Sequence, residues 1–277
     1  MKALKDTRVS SKRLAYQEFV KRKIAGLKTG IKDLDDYLQG LGGFVNIQGE
    51  TSSCKSALGL QIIHYNLRKG TPCIMIDKEN GDGRVISRLL CQSGRVSDTQ
   101  LRTMSDNQRD ALAAEVFKMD LHLHTEPVDS TDMLMSRIAE CWELYKRPFI
   151  LFVDSIQAMD RLADDQRVSL EQWVYFLDRL KVEYAGKLTV LITSEKNRVS
   201  YGQQGVGGGK GSNVLDYKPE TVLDIKWNEG EDSFTVKVSK HRDGMRGGTV
   251  DLQKVFSQTN DPRSFTFLLE EFRGDLP

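Results

Sequence analysis

Gly49, Lys55 and Ser56 fall in the segment GETSSCKS with the spacing G-x4-x-K-S, between an apolar stretch and a helical one. A turn of this kind, running from a strand into a helix N-terminus, offers backbone N–H groups that cradle phosphate oxygens. Thr51, Ser52, Ser53 and Cys54 line the turn; Lys55 would reach the β and γ phosphates, and Ser56 would ligate Mg²⁺. The ligand implied is ATP with Mg²⁺. A second glycine usually precedes the lysine in such loops, and here Cys54 stands in its place. Its side chain leads to the expectation of a backbone that avoids the conformation only glycine reaches easily.

Two carboxylates follow the same logic. Asp154 ends the apolar run FILFVD, about where a parallel strand would deliver a metal-holding aspartate to the bound nucleotide. Alone, an aspartate there is an ordinary loop cap; beside a phosphate loop it becomes a metal ligand. Glu79 follows the apolar run CIMID and is placed to orient an attacking water as general base, against the alternative of a solvated loop charge.

The elements that must position these groups are legible as alternating patterns. TGIKDLDDYLQGL reads as a capped short helix and GGFVNIQG as a strand entering the loop. A helix over 55–69, closed by Gly70, presents Leu58, Ile62, Ile63 and Leu67 on one side, and TPCIMID is the next buried strand. Residues 82–118 are helical in pattern, DLHLHT alternates as a strand, MLMSRIAECWELYK is an amphipathic helix, and PFILFVDS is a continuous apolar strand. A helix over about 170–184 and the strand KLTVLITS repeat the unit. This alternation defines an α/β fold with a mostly parallel central sheet flanked by helices. VLDIKW, SFTVKVSKH and SFTFLLE, separated by NEGED, RDGMRGG and QTNDPR, read as a C-terminal antiparallel extension of that sheet.

Composition bounds the rest. With 277 residues, the chain fits one large domain, read as a core over 26–277 preceded by a basic arm over 1–25 that could form a subunit-docking helix. Forty basic and thirty-nine acidic residues leave a formal charge of +1, so any polyanion site is a local patch. No apolar run approaches membrane-span length and the start lacks a secretory signal, so a cytoplasmic protein without membrane partners is expected. Cys54, Cys73, Cys91 and Cys141 form no CxxC pair and read as reduced thiols. His122 and His124 share one face of a strand and read as packing rather than metal ligands, and Trp142, Trp173 and Trp227 read as buried anchors.

The series TGIKDLD, GETSSCKS, CIMIDKENGDGRVISRLL, FVDSIQAM, LITSEKNR, VLDYKPETVLDI and SKHRDG resembles the RecA-type ATPase core shared by DnaB-like replicative helicases and RadA/Sms repair ATPases, over roughly residues 26–250. The resemblance implies a RecA-like fold, with Glu79 as catalytic glutamate and Asp154 as the second acidic strand end. It places Ser194, Asn197 and Arg198 on the nucleotide-sensing strand and the loop after it. Glu195 stands where these proteins carry a glutamine, which replaces a neutral γ-phosphate sensor by a charged one. Lys240 and Arg242 match the lysine and arginine that such rings present to the neighbouring subunit's nucleotide. The glycine-rich segment 198–213, with Arg198, Tyr201 and Lys210, takes the position of a channel loop suited to sequence-neutral contacts with single-stranded DNA through phosphates and base stacking; the bland alternative is an unliganded linker.

Three functions stay open at this point. The leading one is a DnaB-like ring, expected as a hexamer, that translocates on and unwinds DNA in replication, with a loader or origin-binding protein as a further partner. Its expected setting is a bacterium, or a phage or mobile element in a bacterial host. A RadA-like repair or recombination ATPase is the second, and a KaiC-like nucleotide-switched regulator without unwinding is the third, the last favoured by Cys54 and Glu195.

Overall fold

The structure, a computed structural model, describes residues 26–196, 213–228, 231–242, 247–257 and 264–271. The proposed arm over 1–25 and the loop residues Asn197, Arg198, Tyr201 and Lys210 lie outside the described residues.

Strands β1 (Phe44–Gly49), β2 (Cys73–Asp77) and β4 (Phe149–Asp154) are buried along their whole lengths. Such strands need cover on both faces, and helices supply it. With β3 (Leu121–His124), β5 (Leu188–Glu195), β6 (Thr221–Trp227), β7 (Ser233–His241), β8 (Thr249–Phe256) and β9 (Phe265–Glu271) they form one nine-stranded sheet in the order β3-β2-β4-β5-β1-β6-β7-β8-β9. The strands from β3 to β6 pair in parallel, and β6 to β9 pair antiparallel.

Helix α1 (Lys32–Leu38) precedes β1, and α2 (Lys55–Leu67) follows the phosphate loop. Ile31 occupies the N-cap of α1 without a side-chain cap; instead Thr29 N and Oγ1 donate to Asp35 Oδ1 at 2.6 and 2.8 Å. The helical stretch 82–118 resolves into α3 (Asp82–Gly94), α4 (Asp98–Thr103) and α5 (Asp106–Val116), because the capping boxes Ser97/Gln100 and Ser105/Gln108 each start a new helix. Helix α6 (Thr131–Tyr145) precedes β4. Helix α7 (Gln166–Glu183) begins four residues before the sequence expectation, since Asp165 accepts from the N–H groups of Arg167 and Val168.

The period-two alternation of the strands sorts their side chains into two cores. Val45, Ile47, Met75, Ile150, Phe152 and Leu191 pack on the α2 side; Phe44, Ile74, Leu151, Val153, Val190 and Ile192 pack on the α6/α7 side. Gly59 of α2 sets the depth of the first core: a Cβ there would sit 2.5 Å from the Phe152 ring, so only glycine lets the helix approach β4 this closely.

Two expectations are corrected. Strand β6 belongs to the parallel part of the sheet, beside β1, so the antiparallel extension starts only with β7. Residues 249–256, between RDGMRGG and QTNDPR, form a further strand, β8. Trp227 is 49% exposed rather than buried, because it ends β6 in the turn toward β7 and its indole N–H donates to Glu231 O. Trp173 is buried, with its N–H on Asp160 O, and His122, on the edge strand β3, bonds Tyr145 at the end of α6. Among the described residues no helix is long and apolar enough to cross a membrane.

Candidate nucleotide site

The phosphate loop leaves β1 at the C-terminal edge of the parallel strands, between β5 and β6. Gly49 is required there: a Cβ would lie 2.3 Å from the Ile225 carbonyl oxygen and 2.6 Å from Ser53 Oγ. The turn then folds on itself through the Glu50 carbonyl, which accepts from Ser53 N at 3.2 Å, Ser53 Oγ at 2.7 Å and Lys55 Nζ at 2.6 Å. Ser52 and Cys54 both adopt positive φ, 66° and 64°. The expectation for Cys54 is thus overturned. The cysteine takes up the left-handed conformation that the usual glycine would, because the chain must enter α2 directly: Leu58 N already bonds Cys54 O at 2.9 Å. Each such residue stores about 1–2 kcal/mol of local strain, held in place by the surrounding packing.

Ser56, at the start of α2, donates to Asp154 Oδ1 at 3.0 Å. Thr193 of β5 donates to the same oxygen from the adjacent strand. Burial pushes the Asp154 carboxyl up to about 6; the Thr193 and Ser56 hydroxyls oppose this, while the neighbouring Asp77 and Glu79 charges reinforce it. A buried, electron-rich carboxylate beside a serine hydroxyl is the donor set a hard divalent cation selects, so the residues present fit Mg²⁺. The Lys55 ammonium is lowered by burial, against the attraction of Glu195, Asp154 and Glu79.

Glu79 sits on the loop after β2, in register beside this aspartate, since Asp77 pairs with Asp154. Asp77 builds that loop: its Oδ1 accepts from the N–H groups of Glu79 at 3.1 Å, Asn80 at 2.5 Å and Gly81 at 3.3 Å. Ser155 donates to Glu79 Oε1 and fixes the carboxylate toward β4. Glu195 reaches the loop from β5, where Thr51 Oγ1 donates to its Oε1 at 3.2 Å.

Not every candidate joins this cluster. Ser194 points to the opposite face of the sheet, where it is fully buried and donates to Asn46 Oδ1 at 2.9 Å. Lys240 and Arg242 also lie away from the loop of their own chain. The Lys240 ammonium donates to the carbonyls of Asp216 at 3.0 Å and Tyr217 at 2.5 Å, and Arg242 Nη2 to Tyr217 O at 3.3 Å, at the end of the short helix α8 (Val214–Tyr217). Thr193, Asp77 and Ser155 are the residues sequence reasoning missed. The signal for Thr193 was available: alternation from Leu191 carries Thr193 and Glu195, not Ser194, to the α2 side.

A parallel sheet whose central strand opens into a lysine–serine loop at a helix N-terminus, with an aspartate at the end of β4 and a glutamate just after β2 on the same edge, defines a P-loop ATPase core of RecA type. The chain belongs to the family of DnaB-like helicase C-terminal domains, whose sequence profile matches residues 26–198. Its fold is similar to the ATPase domain of G40P (TM-score 0.81, 17% identity, covering 96% of this chain and 99% of that one). It is similar also to a DnaB-like replicative helicase studied with its interactions with primase (TM-score 0.78, 18% identity, 95% and 69% of the two chains) and to the RadB recombinase (TM-score 0.59, 18% identity, 89% and 99%). No curated protein matches it by sequence.

Proposed function

We propose that this chain is a ring-forming ATPase that moves along single-stranded DNA and unwinds duplex ahead of it, hydrolysing ATP at the interfaces between subunits. The observation that carries the reading is the convergence of Lys55, Ser56, Asp154 and Glu79 at one sheet edge, in a chain of the DnaB-like family. Ser56 and Asp154 would hold Mg²⁺, which supplies charge neutralisation at the β and γ phosphates. Lys55 exchanges the Glu50 carbonyl for phosphate oxygens. Glu79, with Oε1 held by Ser155, orients a water whose oxygen bonds the γ-phosphorus as the bond to ADP breaks; the water's proton passes to the carboxylate. Lys240 and Arg242 act on the neighbouring subunit's nucleotide, and residues 198–213, with Arg198, Tyr201 and Lys210, contact DNA in the central channel. A hexameric ring and delivery by a loader complete the reading.

A second reading has its own observation. Glu195 places a carboxylate against Thr51 of the phosphate loop, and a negative charge there opposes the γ-phosphate. It favours a nucleotide-switched assembly factor with slow turnover. Steady-state ATP hydrolysis with and without single-stranded DNA, alongside Lys55→Ala, separates the two. DNA stimulation that is lost in the variant supports the motor; slow, DNA-indifferent hydrolysis supports the switch. The action in trans has a separate test, mixing Arg242→Ala subunits with Lys55→Ala subunits. Partial recovery is expected, because some interfaces then combine an intact loop with an intact arginine; none at all counts against it.

A further inference from the structure

We infer that Gln48 and Asp216 are positioning residues for Lys240 and Arg242, so that the strand entering a subunit's own phosphate loop also sets the cations it offers to its neighbour. The inference rests on the reading of Lys240 and Arg242 as acting in trans.

The face of the sheet turned away from α2 should be apolar where α7 covers it, yet it carries a layer of buried polar side chains. Asn46, Gln48, Ser194 and Asp216 are each at most 3% exposed. Burying unpaired amides and a carboxylate is strongly unfavourable, so such a layer persists only when its members are bonded to one another. They are: Ser194 Oγ donates to Asn46 Oδ1, Asn46 Nδ2 donates to the Leu215 carbonyl at 3.1 Å, and Gln48 Nε2 donates to Asp216 Oδ1 at 3.3 Å. Gln48 immediately precedes Gly49, the first residue of the phosphate loop. The side chains of β1 therefore grip both the backbone and the carboxylate of α8.

The far end of α8 holds the cations. Asp216 and Tyr217 present carbonyls at its C-terminus, and these accept from Lys240 and Arg242. Carbonyls at a helix end carry partial negative charge and lack helical partners, which suits an ammonium and a guanidinium. Lys240 reaches them because β7 bulges: Leu223 pairs with Val238 while Val222 pairs with Lys240, leaving Ser239 extra in the ladder. In unbroken alternation Lys240 would follow Phe234, Val236 and Val238 onto the α2 side; the extra residue turns it to the α8 side. Tyr217 is tied outward as well, its hydroxyl 3.0 Å from that of Tyr175 on α7.

The chain of contacts runs loop, β1, Gln48, Asp216, α8, then the two cations. Without the bond from Gln48 to Asp216, α8 loses one of its two ties to β1, and the carbonyls that hold the cations lose that support. Misplacing a charge-stabilising group by about 1 Å lowers turnover on the order of a hundredfold. The test uses the full-length chain. Gln48→Leu should lower kcat at least tenfold while KM for ATP moves less than about threefold. Asp216→Leu should do the same, and Asp216→Asn, which keeps an acceptor for Gln48, should restore kcat to within about threefold; equal loss in both Asp216 variants overturns the inference.

The decisive arm is mixing. Gln48→Leu subunits keep a sound loop and Lys55→Ala subunits keep well-placed cations, so mixing them should raise activity several-fold above either alone. No recovery places the defect in the variant's own loop and overturns the inference. Arg242→Ala mixed with Lys55→Ala is the reference. If that pair recovers and the Gln48→Leu pair does not, the positioning role alone fails; if the reference pair also fails to recover, the action in trans fails and the positioning role falls with it.

Discussion

Ser56 and Asp154 stand 98 residues apart in the sequence and meet Oγ to Oδ1 at 3.0 Å, with Thr193 donating to the same oxygen from the next strand. The Asp154 carboxylate is thus held by one donor on the nucleotide side and one on the sheet side. Donors behind a metal-holding carboxylate are worth about ten- to a hundredfold in metal affinity. Thr193→Val, which removes the hydroxyl and little volume, should raise the Mg²⁺ concentration for half-maximal ATP hydrolysis about tenfold or more. A Mg²⁺ titration at saturating ATP reads this directly; an unchanged midpoint would show that Thr193 only packs.

The contact between α2 and β4 has no slack at Gly59. Gly59→Ala gains helix propensity of about 1 kcal/mol but pushes a methyl into the Phe152 ring, an overpacking cost of about 1–3 kcal/mol. The expected outcome is net destabilisation, with turnover reduced because the start of α2 carries Ser56. Phe152→Leu in the same chain should restore part of both. Urea unfolding and kcat measured on the three variants check the coupling.

Cys54 gives a prediction about backbone rather than side chain. Because it sits at φ 64°, glycine there relieves strain while losing some packing, so Cys54→Gly should stay within about 1 kcal/mol of the parent. A β-branched residue tolerates that φ far less, and Cys54→Val should destabilise by about 2–3 kcal/mol. Equal denaturation midpoints for the two variants would contradict the left-handed assignment.

His64 is buried on α2 with Nε2 2.8 Å from Ser93 Oγ, and burial, aided by the Arg68 charge, lowers its pKa from 6.5 to about 4. The unfolded chain binds a proton at this histidine below about pH 6.5 while the folded one stays neutral to about pH 4. Its contribution to stability is therefore complete above pH 6.5 and lost as pH falls through that window, up to about 3 kcal/mol. His64→Gln should flatten the stability profile between pH 6.5 and 4 relative to the parent. Parallel profiles would remove His64 as the cause.

The parts of this molecule written in local pattern were legible in the sequence. The loop Gly49–Ser56, the fully buried β2 and β4, and the positions of Asp154 at the end of one and Glu79 just past the other follow from spacing and from unbroken apolar runs. What pairing decides was not. The runs VLDIKW and SFTVKVSKH look alike as strands, yet one lies parallel to β1 and the other antiparallel to its neighbour. In β8 the alternation of Val250 and Leu252 with Asp251 and Gln253 is short and breaks after Lys254, where the pairing with β9 shifts register, so the run carries little strand pattern of its own. Of the two neighbouring candidates on β5, Glu195 reaches Thr51 of the loop and Ser194 faces Asn46 on the other side, because in a strand one position is the whole width of the sheet.

The cysteines carry a practical consequence. Cys73 in β2, Cys91 in α3 and Cys141 in α6 are free thiols at most 4% exposed, and burial raises the pKa of each. A thiol-reactive dye cannot modify them in the closed molecule, so each becomes a clock that ticks only when its element opens. Labelling one retained cysteine at a time, with and without nucleotide, would time the breathing of the sheet and of the helices on its two faces, and show which of them ATP quiets.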